Sequence, residues 1–253
     1  MNNNKQQYIY QSLLEEKTAK RKKLAVLIDP DKLQKKQIIH IVENAIAAQT
    51  DYFFIGGSLL MNNKIDDFIL HIKTLCEIPV ILFPGSIFQI SEKADALLFL
   101  SLISGRNADL LIGQQVVAAP ILHQSSLEIL STGYMLIDGG RPTTASYISN
   151  STPIPADKPQ IAVCTALAGQ MLGLKLIYLD CGSGAKMPVS SDMIRQVRQY
   201  IDVPLIVGGG IRTAKQAVES CRSGADIIVV GNAIEHQPEL VFEMAQAIHA
   251  LNE

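Results

Sequence analysis

The chain lacks any run of roughly 18–20 consecutive apolar residues, the length a membrane-spanning helix needs. It has few cysteines. The four, at 76, 164, 181 and 221, form no Cys-x-x-Cys and no paired metal-ligand spacing, which argues against a disulfide framework or a thiolate zinc site. The five histidines, at 40, 71, 123, 236 and 249, likewise show no ligand spacing and mostly fall on helix-like segments. Charge is nearly balanced, 22 Lys and Arg against 24 Asp and Glu, so a net charge of −2 offers no general attraction to nucleic acid. The opening Met1-Asn2-Asn3-Asn4-Lys5 carries no apolar segment of the kind that begins a secretory signal. These absences lead us to expect free thiols and a soluble, cytoplasmic protein with at most peripheral membrane contact. No Gly-x-Gly-x-x-Gly follows the first strand-like run, where an open dinucleotide-binding sheet would place it.

What is present is an ordinary globular balance, 48% hydrophobic and 18% charged, which supports a sizeable core. Eight short, β-branched runs recur at 24–29, 51–57, 79–85, 96–103, 133–140, 174–180, 204–210 and 226–232, each closing on Gly, Asp or Asn or just short of one. Helical spacing fills most gaps, as at 33–48, 65–76, 158–172, 213–221 and 238–251. Strands this apolar are buried on both faces, and parallel neighbours require crossovers. We therefore expect a single α/β domain over 1–253, a (β/α)₈ barrel of the TIM type. Two places depart from regularity. About ten residues, 86–95, separate the third and fourth strands, so the third crossover helix should be short or irregular. Residues 141–159 hold four prolines among nineteen positions, a long connection that reads either as a disordered surface loop or as a lid or oligomer contact. A helix over 6–21 is expected to cap the barrel, with Lys17, Lys20, Arg21, Lys22 and Lys23 near its C-terminal end, where positive charge is favoured.

Barrel enzymes build their sites from the loops after the strands and often hold phosphate after strands 7 and 8. Here those loops are Val207-Gly208-Gly209-Gly210-Ile211 and Val230-Gly231-Asn232-Ala233-Ile234, and Asp180-Cys181-Gly182-Ser183-Gly184-Ala185 follows strand 6. Without Cβ atoms, backbone N–H groups can approach phosphate oxygens closely, so three such loops in succession point to an anion site. Across the ring, strand 1 ends in Ile28-Asp29-Pro30-Asp31-Lys32 and strand 2 in Ile55-Gly56-Gly57-Ser58. A carboxylate and a hydroxyl on adjacent strand tips could share Mg²⁺; capping of a helix beginning near Lys32 is an equal alternative for Asp29 and Asp31. Phe83, Ile87, Phe88, Leu98, Leu100 and Leu102 form an apolar set that could line a trough or pack the core. Cys181 reads as a small packing residue.

The segments Leu27-Ile28-Asp29-Pro30-Asp31-Lys32, Ile55-Gly56-Gly57-Ser58, Ser101-Leu102-Ile103-Ser104-Gly105-Arg106-Asn107, Tyr178-Leu179-Asp180-Cys181-Gly182-Ser183-Gly184, Val207-Gly208-Gly209-Gly210-Ile211 and Val230-Gly231-Asn232 resemble, in order and spacing, the geranylgeranylglyceryl phosphate synthase family. The match is closer to the branch with the longer strand-6 loop than to the heptaprenyl branch, which has lysine where this chain has Leu27. The resemblance implies a prenyltransferase that joins sn-glycerol 1-phosphate to geranylgeranyl diphosphate through an ether bond, with Mg²⁺ required. It implies that Asp29 and Ser58 hold the metal and that Tyr178, Leu179, Asp180, Cys181, Gly182, Ser183, Gly184, Gly209, Gly210, Gly231 and Asn232 form the glycerol phosphate site. It further implies a homo-oligomer, a dimer or a hexamer, and the family usually has glutamate where this chain has Asp180, whose carboxylate could accept the proton of the attacking hydroxyl. Arg106 could aid the diphosphate or be an ordinary surface arginine. On the residues alone, a phosphate-binding isomerase or aldolase and a non-catalytic phosphate-ligand binder stay open.

Overall fold

The computed structural model describes residues 8–33, 35–58 and 65–252. Eight parallel strands close into a barrel in sequence order: β1 (Lys23–Ile28), β2 (Tyr52–Ile55), β3 (Val80–Leu82), β4 (Ala96–Leu102), β5 (Glu128–Leu136), β6 (Leu176–Asp180), β7 (Leu205–Gly208) and β8 (Ile227–Val230). The two-residue period of each strand sorts its side chains into two apolar layers. On β6, Leu176 and Tyr178 point into the barrel, while Ile177 and Leu179 pack under the outer helices. The outer layer comprises α2 (Lys35–Ala47), α3 (Ile65–Leu75), α4 (Gln114–Gln124), α6 (Pro159–Met171), α7 (Ser191–Tyr200), α8 (Ala214–Arg222) and α10 (Leu240–His249); the short α5 (Thr144–Ile148) and α9 (Asn232–His236) sit on the loops after β5 and β8. Local chemistry starts several of these helices: the Ser190 and Thr213 side chains accept from the N–H groups of Met193 and Gln216.

The third crossover carries a single 3₁₀ turn, Ile87–Gln89, in place of a helix, as its short length requires. Two element starts differ from the sequence reading in ways the structure explains. Strand β5 begins at Glu128, five residues before the expected 133, because its polar first residue is buried against α1 (Tyr8–Thr18). Glu128 accepts from the N–H groups of Ile9 and Tyr10, both at 2.8 Å, which docks α1 beneath the barrel. The expected start of that helix at residue 6 lies outside the described residues. Helix α2 begins at Lys35 and not near Lys32, because Asp29 closes a tight turn first: its carboxylate accepts from Asp31 N–H at 3.2 Å. Residues 141–159 are structured, with Thr143 and Ser146 forming a capping box on α5 and Ile154 bridging to Ile137.

Candidate active site

A cavity of about 620 Å³ opens where the strands end, within the range usual for small-molecule sites. Its chemistry is divided by the order of the strands. On one side lie the loops after β6, β7 and β8, with Gly182, Ser183, Gly184, Gly209, Gly210, Gly231 and Asn232 on the wall. Ser183 Oγ donates to Asn232 Oδ1 at 2.8 Å, joining the β6 loop to the β8 loop. Arg212 Nη2 donates to the Ala185 carbonyl at 2.7 Å and fixes the far end of the β6 loop.

Asp180, the last residue of β6, sits at the centre and is only 6% exposed. Its Oδ1 accepts from Gly182 N–H at 2.7 Å and its Oδ2 from the Tyr134 hydroxyl at 2.6 Å. Burial pushes the Asp180 carboxyl above the ordinary carboxylate range, and these two hydrogen bonds partly offset the rise. Burial and the Asp180 charge push the Tyr134 and Tyr178 phenols well up, so both stay neutral and Tyr134 is the one that donates to Asp180. The rings of Phe83, Tyr134 and Tyr178 pack around one another at centroid separations of 5.2–5.6 Å. They leave the Tyr134 hydroxyl little freedom to turn away.

On the opposite side, Asp29 and Ser58 stand at the tips of β1 and β2. Asp29 Oδ2 pairs with Lys32 Nζ at 3.0 Å, and a Cβ at Gly57 would fall 2.4 Å from the same oxygen, so only glycine leaves room for this carboxylate. One carboxylate and one hydroxyl form a sparse, hard-oxygen set, and among the described residues no group of three or more His, Cys, Asp or Glu is gathered. Such a set suits Mg²⁺ that draws its remaining ligands from water and substrate phosphate. Between the two poles the wall is apolar: Phe83, Ile87, Leu97, Leu98, Phe99 and Leu100, with Leu102, Leu110, Ala118 and Leu122 beyond.

A family profile described as the PcrB family matches residues 16–250. The chain belongs to the PcrB family. Among its relatives, a geranylgeranylglyceryl phosphate synthase of Chitinophaga pinensis is 56% identical, with 96% of each chain covered, and one of Korarchaeum cryptofilum is 39% identical over 92% of this chain and 96% of that protein. A crystal structure of (S)-3-O-geranylgeranylglyceryl phosphate synthase from Thermoplasma acidophilum, in complex with substrate sn-glycerol-1-phosphate, superposes with a TM-score of 0.90 at 34% identity, covering 96% of this chain and 98% of that one.

Within this PcrB barrel nearly all the residues singled out from sequence meet around one cavity. Leu179 and Cys181 do not reach it; both pack in the outer apolar layer. Burial, reinforced by the Asp180 charge, pushes the Cys181 thiol far up, which suits packing and not nucleophilic chemistry. Phe88 is 74% exposed and lies outside the cavity, whereas the other five apolar candidates line it. Arg106 folds back on its own turn, donating to the Gly105 carbonyl at 2.6 Å, and does not line the cavity. The sequence reading overlooked Tyr134, Arg141, Arg212 and Glu235, all of which line the wall. Burial raises the Glu235 carboxyl, an effect that Lys32 opposes and Asp29 reinforces. The available signal is the inward parity of Tyr134 with Leu136 on β5, which places its ring in the barrel but does not by itself show that it faces Asp180.

Proposed function

We propose that this protein is a prenyltransferase that forms an ether bond between sn-glycerol 1-phosphate and geranylgeranyl diphosphate and releases diphosphate. The observation that carries the reading is the placing of one buried, hydrogen-bonded carboxylate, Asp180, between a glycine-walled anion cradle and an apolar trough in a single cavity. The glycerol phosphate lies against Tyr178, Asp180, Ser183, Gly184, Gly209, Gly210, Gly231 and Asn232, with backbone N–H groups facing its phosphate. The diphosphate lies toward Asp29 and Ser58, and the isoprenoid tail runs along Phe83, Leu98 and Leu100.

As the allylic C–O bond breaks, negative charge collects on the departing diphosphate and the C1 end of the tail becomes electrophilic. Asp29 and Ser58 would hold Mg²⁺, which neutralises that charge when bound. The glycerol C3 hydroxyl attacks C1, and its proton passes to Asp180. Aspartate is one methylene shorter than the glutamate usual in this family, and the Tyr134 and Gly182 hydrogen bonds fix where that shorter carboxylate stands. Holding both substrates in line supplies much of the remaining acceleration. Aldolase chemistry through a lysine is disfavoured, because Lys32, the cavity's lysine among the described residues, is ion-paired with Asp29.

The deciding assay incubates the protein with sn-glycerol 1-phosphate, radiolabelled geranylgeranyl diphosphate and Mg²⁺, with EDTA and Asp29→Ala arms. We expect an ether product that disappears in both control arms. Glycerol phosphate binding without product would overturn the reading.

A further inference from the structure

Three lysine or arginine side chains line the cavity: Lys32, Arg141 and Arg212. Lys32 is paired with Asp29, and Arg212 is engaged with the Ala185 carbonyl. Arg141 alone of these has no carboxylate or carbonyl partner among the described residues. A cation without a protein partner in the wall of an anion site is available to a ligand.

The backbone around Arg141 is held on both sides. Before it, Gly140 N–H donates to Asp138 Oδ1 at 2.8 Å, and the Gly139 carbonyl accepts from Lys186 and Met187 N–H at 2.9 and 3.2 Å, tying the β5 loop to the β6 loop. After it, Thr143 caps α5. The guanidinium lies across Gly184, where an added Cβ would fall 2.2 Å from Arg141 Nη2. Gly184 has φ +76°, so both its backbone and its missing side chain make room for the arginine. The next residue back, Ser183, is the one bonded to Asn232. The guanidinium thus hangs over the strand-6 part of the anion cradle, on the far side of the barrel from Asp29 and Ser58.

We propose that Arg141 clamps the phosphate monoester of the glycerol substrate from above, as a side-chain cation added to a cradle otherwise made of backbone N–H groups. This rests on the reading of the cradle as the glycerol phosphate site. A guanidinium can present two parallel N–H donors to a phosphate, and lysine cannot reproduce that fork.

The test is calorimetric titration of the native protein, Arg141→Lys and Arg141→Met with sn-glycerol 1-phosphate, and separately with inorganic pyrophosphate plus Mg²⁺, each with a melting temperature. We expect Arg141→Met to bind glycerol phosphate about tenfold or more weakly and Arg141→Lys to lose part of that. Pyrophosphate binding should stay within about twofold, and the salt dependence of glycerol phosphate binding should flatten in Arg141→Met. Should Arg141→Met melt early, Arg141→Lys decides. Unchanged glycerol phosphate affinity in a folded variant overturns the clamp, as does a loss confined to pyrophosphate. If the native protein itself binds no glycerol phosphate, it is the reading of the cradle that fails, and the two failures are told apart before any variant is compared.

Discussion

At the scale of single residues, Asp180 sets a tension between stability and chemistry. Its folded-state pKa is raised by burial, so between its unfolded and folded values the folded chain binds a proton that the unfolded chain does not. Stability therefore falls as pH rises through that window, and the ionised carboxylate that the proposed base role requires is the less stable form. Asp180→Asn should melt higher than the native protein at pH 7, with the difference fading as pH falls toward about 4. The same variant should lose about 10²–10⁴-fold in kcat while its glycerol phosphate affinity moves little; an unchanged kcat removes the base role. Tyr134→Phe takes away a hydrogen bond that holds the Asp180 pKa down, so the acid limb of the kcat profile should move to higher pH. Two cradle glycines separate fold from function in the same way. Gly209 has φ +77°, and a Cβ there would meet Asp180 Oδ1 at 2.5 Å, so Gly209→Ala should lower the melting temperature. Gly231 has φ −118°, and the nearest atom to an added Cβ is 3.3 Å away. An added Cβ at 231 meets the Leu27 carbonyl closely but without the overlap found at Gly209, so Gly231→Ala should cost less melting temperature than Gly209→Ala and bind glycerol phosphate more weakly in the same titration.

At the scale of elements, α1 depends on one side chain from a distant part of the chain. Glu128 receives the N–H groups of Ile9 and Tyr10 while Ile9 and Leu13 pack against the inner layer, so the helix N-terminus is capped by the barrel itself. Glu128→Ala removes both acceptors and should cost about 1–3 kcal/mol, read as a lower denaturation midpoint with α1 exchanging amide protons first. Nothing in the sequence near Tyr8 names this partner, because it lies 119 residues away from Ile9. The same reason explains what else was hidden. The barrel's strands and glycine turns are local patterns and could be read directly, as could the lack of room for a helix in the third crossover. Helix α4 contains Pro120 and exposes Val116, Val117 and Ile121 while burying Ala118 and Leu122, so its apolar residues mark no single face. The short α5 is set by a Thr143–Ser146 box inside a proline-rich stretch that reads as loop. Asp29, Ser58 and the three glycine loops were legible because each closes a strand. Tyr134, Arg141 and Glu235 were not, because their importance arises only from what they face across the cavity.

At the scale of the whole molecule, the 3₁₀ turn that replaces the third crossover helix and the apolar end of the cavity are one feature. A complete barrel would cover the outer face of β3 and β4, but the 3₁₀ turn Ile87–Gln89 is too short to do so. Residues of both parities on β4 consequently line the cavity: Leu98, Leu100 and Leu102 from the inner face, Leu97 and Phe99 from the outer. The cavity thus leaves the barrel mouth and continues over the strand to α4, where Ala118 and Leu122 form its wall. Ala118 is the smallest residue in that wall and is 4% exposed, so enlarging it shortens the space without touching the polar end. Ala118→Trp should keep its affinity for glycerol phosphate and its turnover with short allylic diphosphates. Its kcat/KM for the C20 donor relative to a C10 donor should fall about tenfold or more, since an apolar pocket discriminates by the methylenes it can no longer hold. Competition assays with mixed donors measure that ratio directly. An unchanged ratio in a folded protein would place the tail elsewhere, and Phe88, exposed beside the gap, would then be the next position to enlarge.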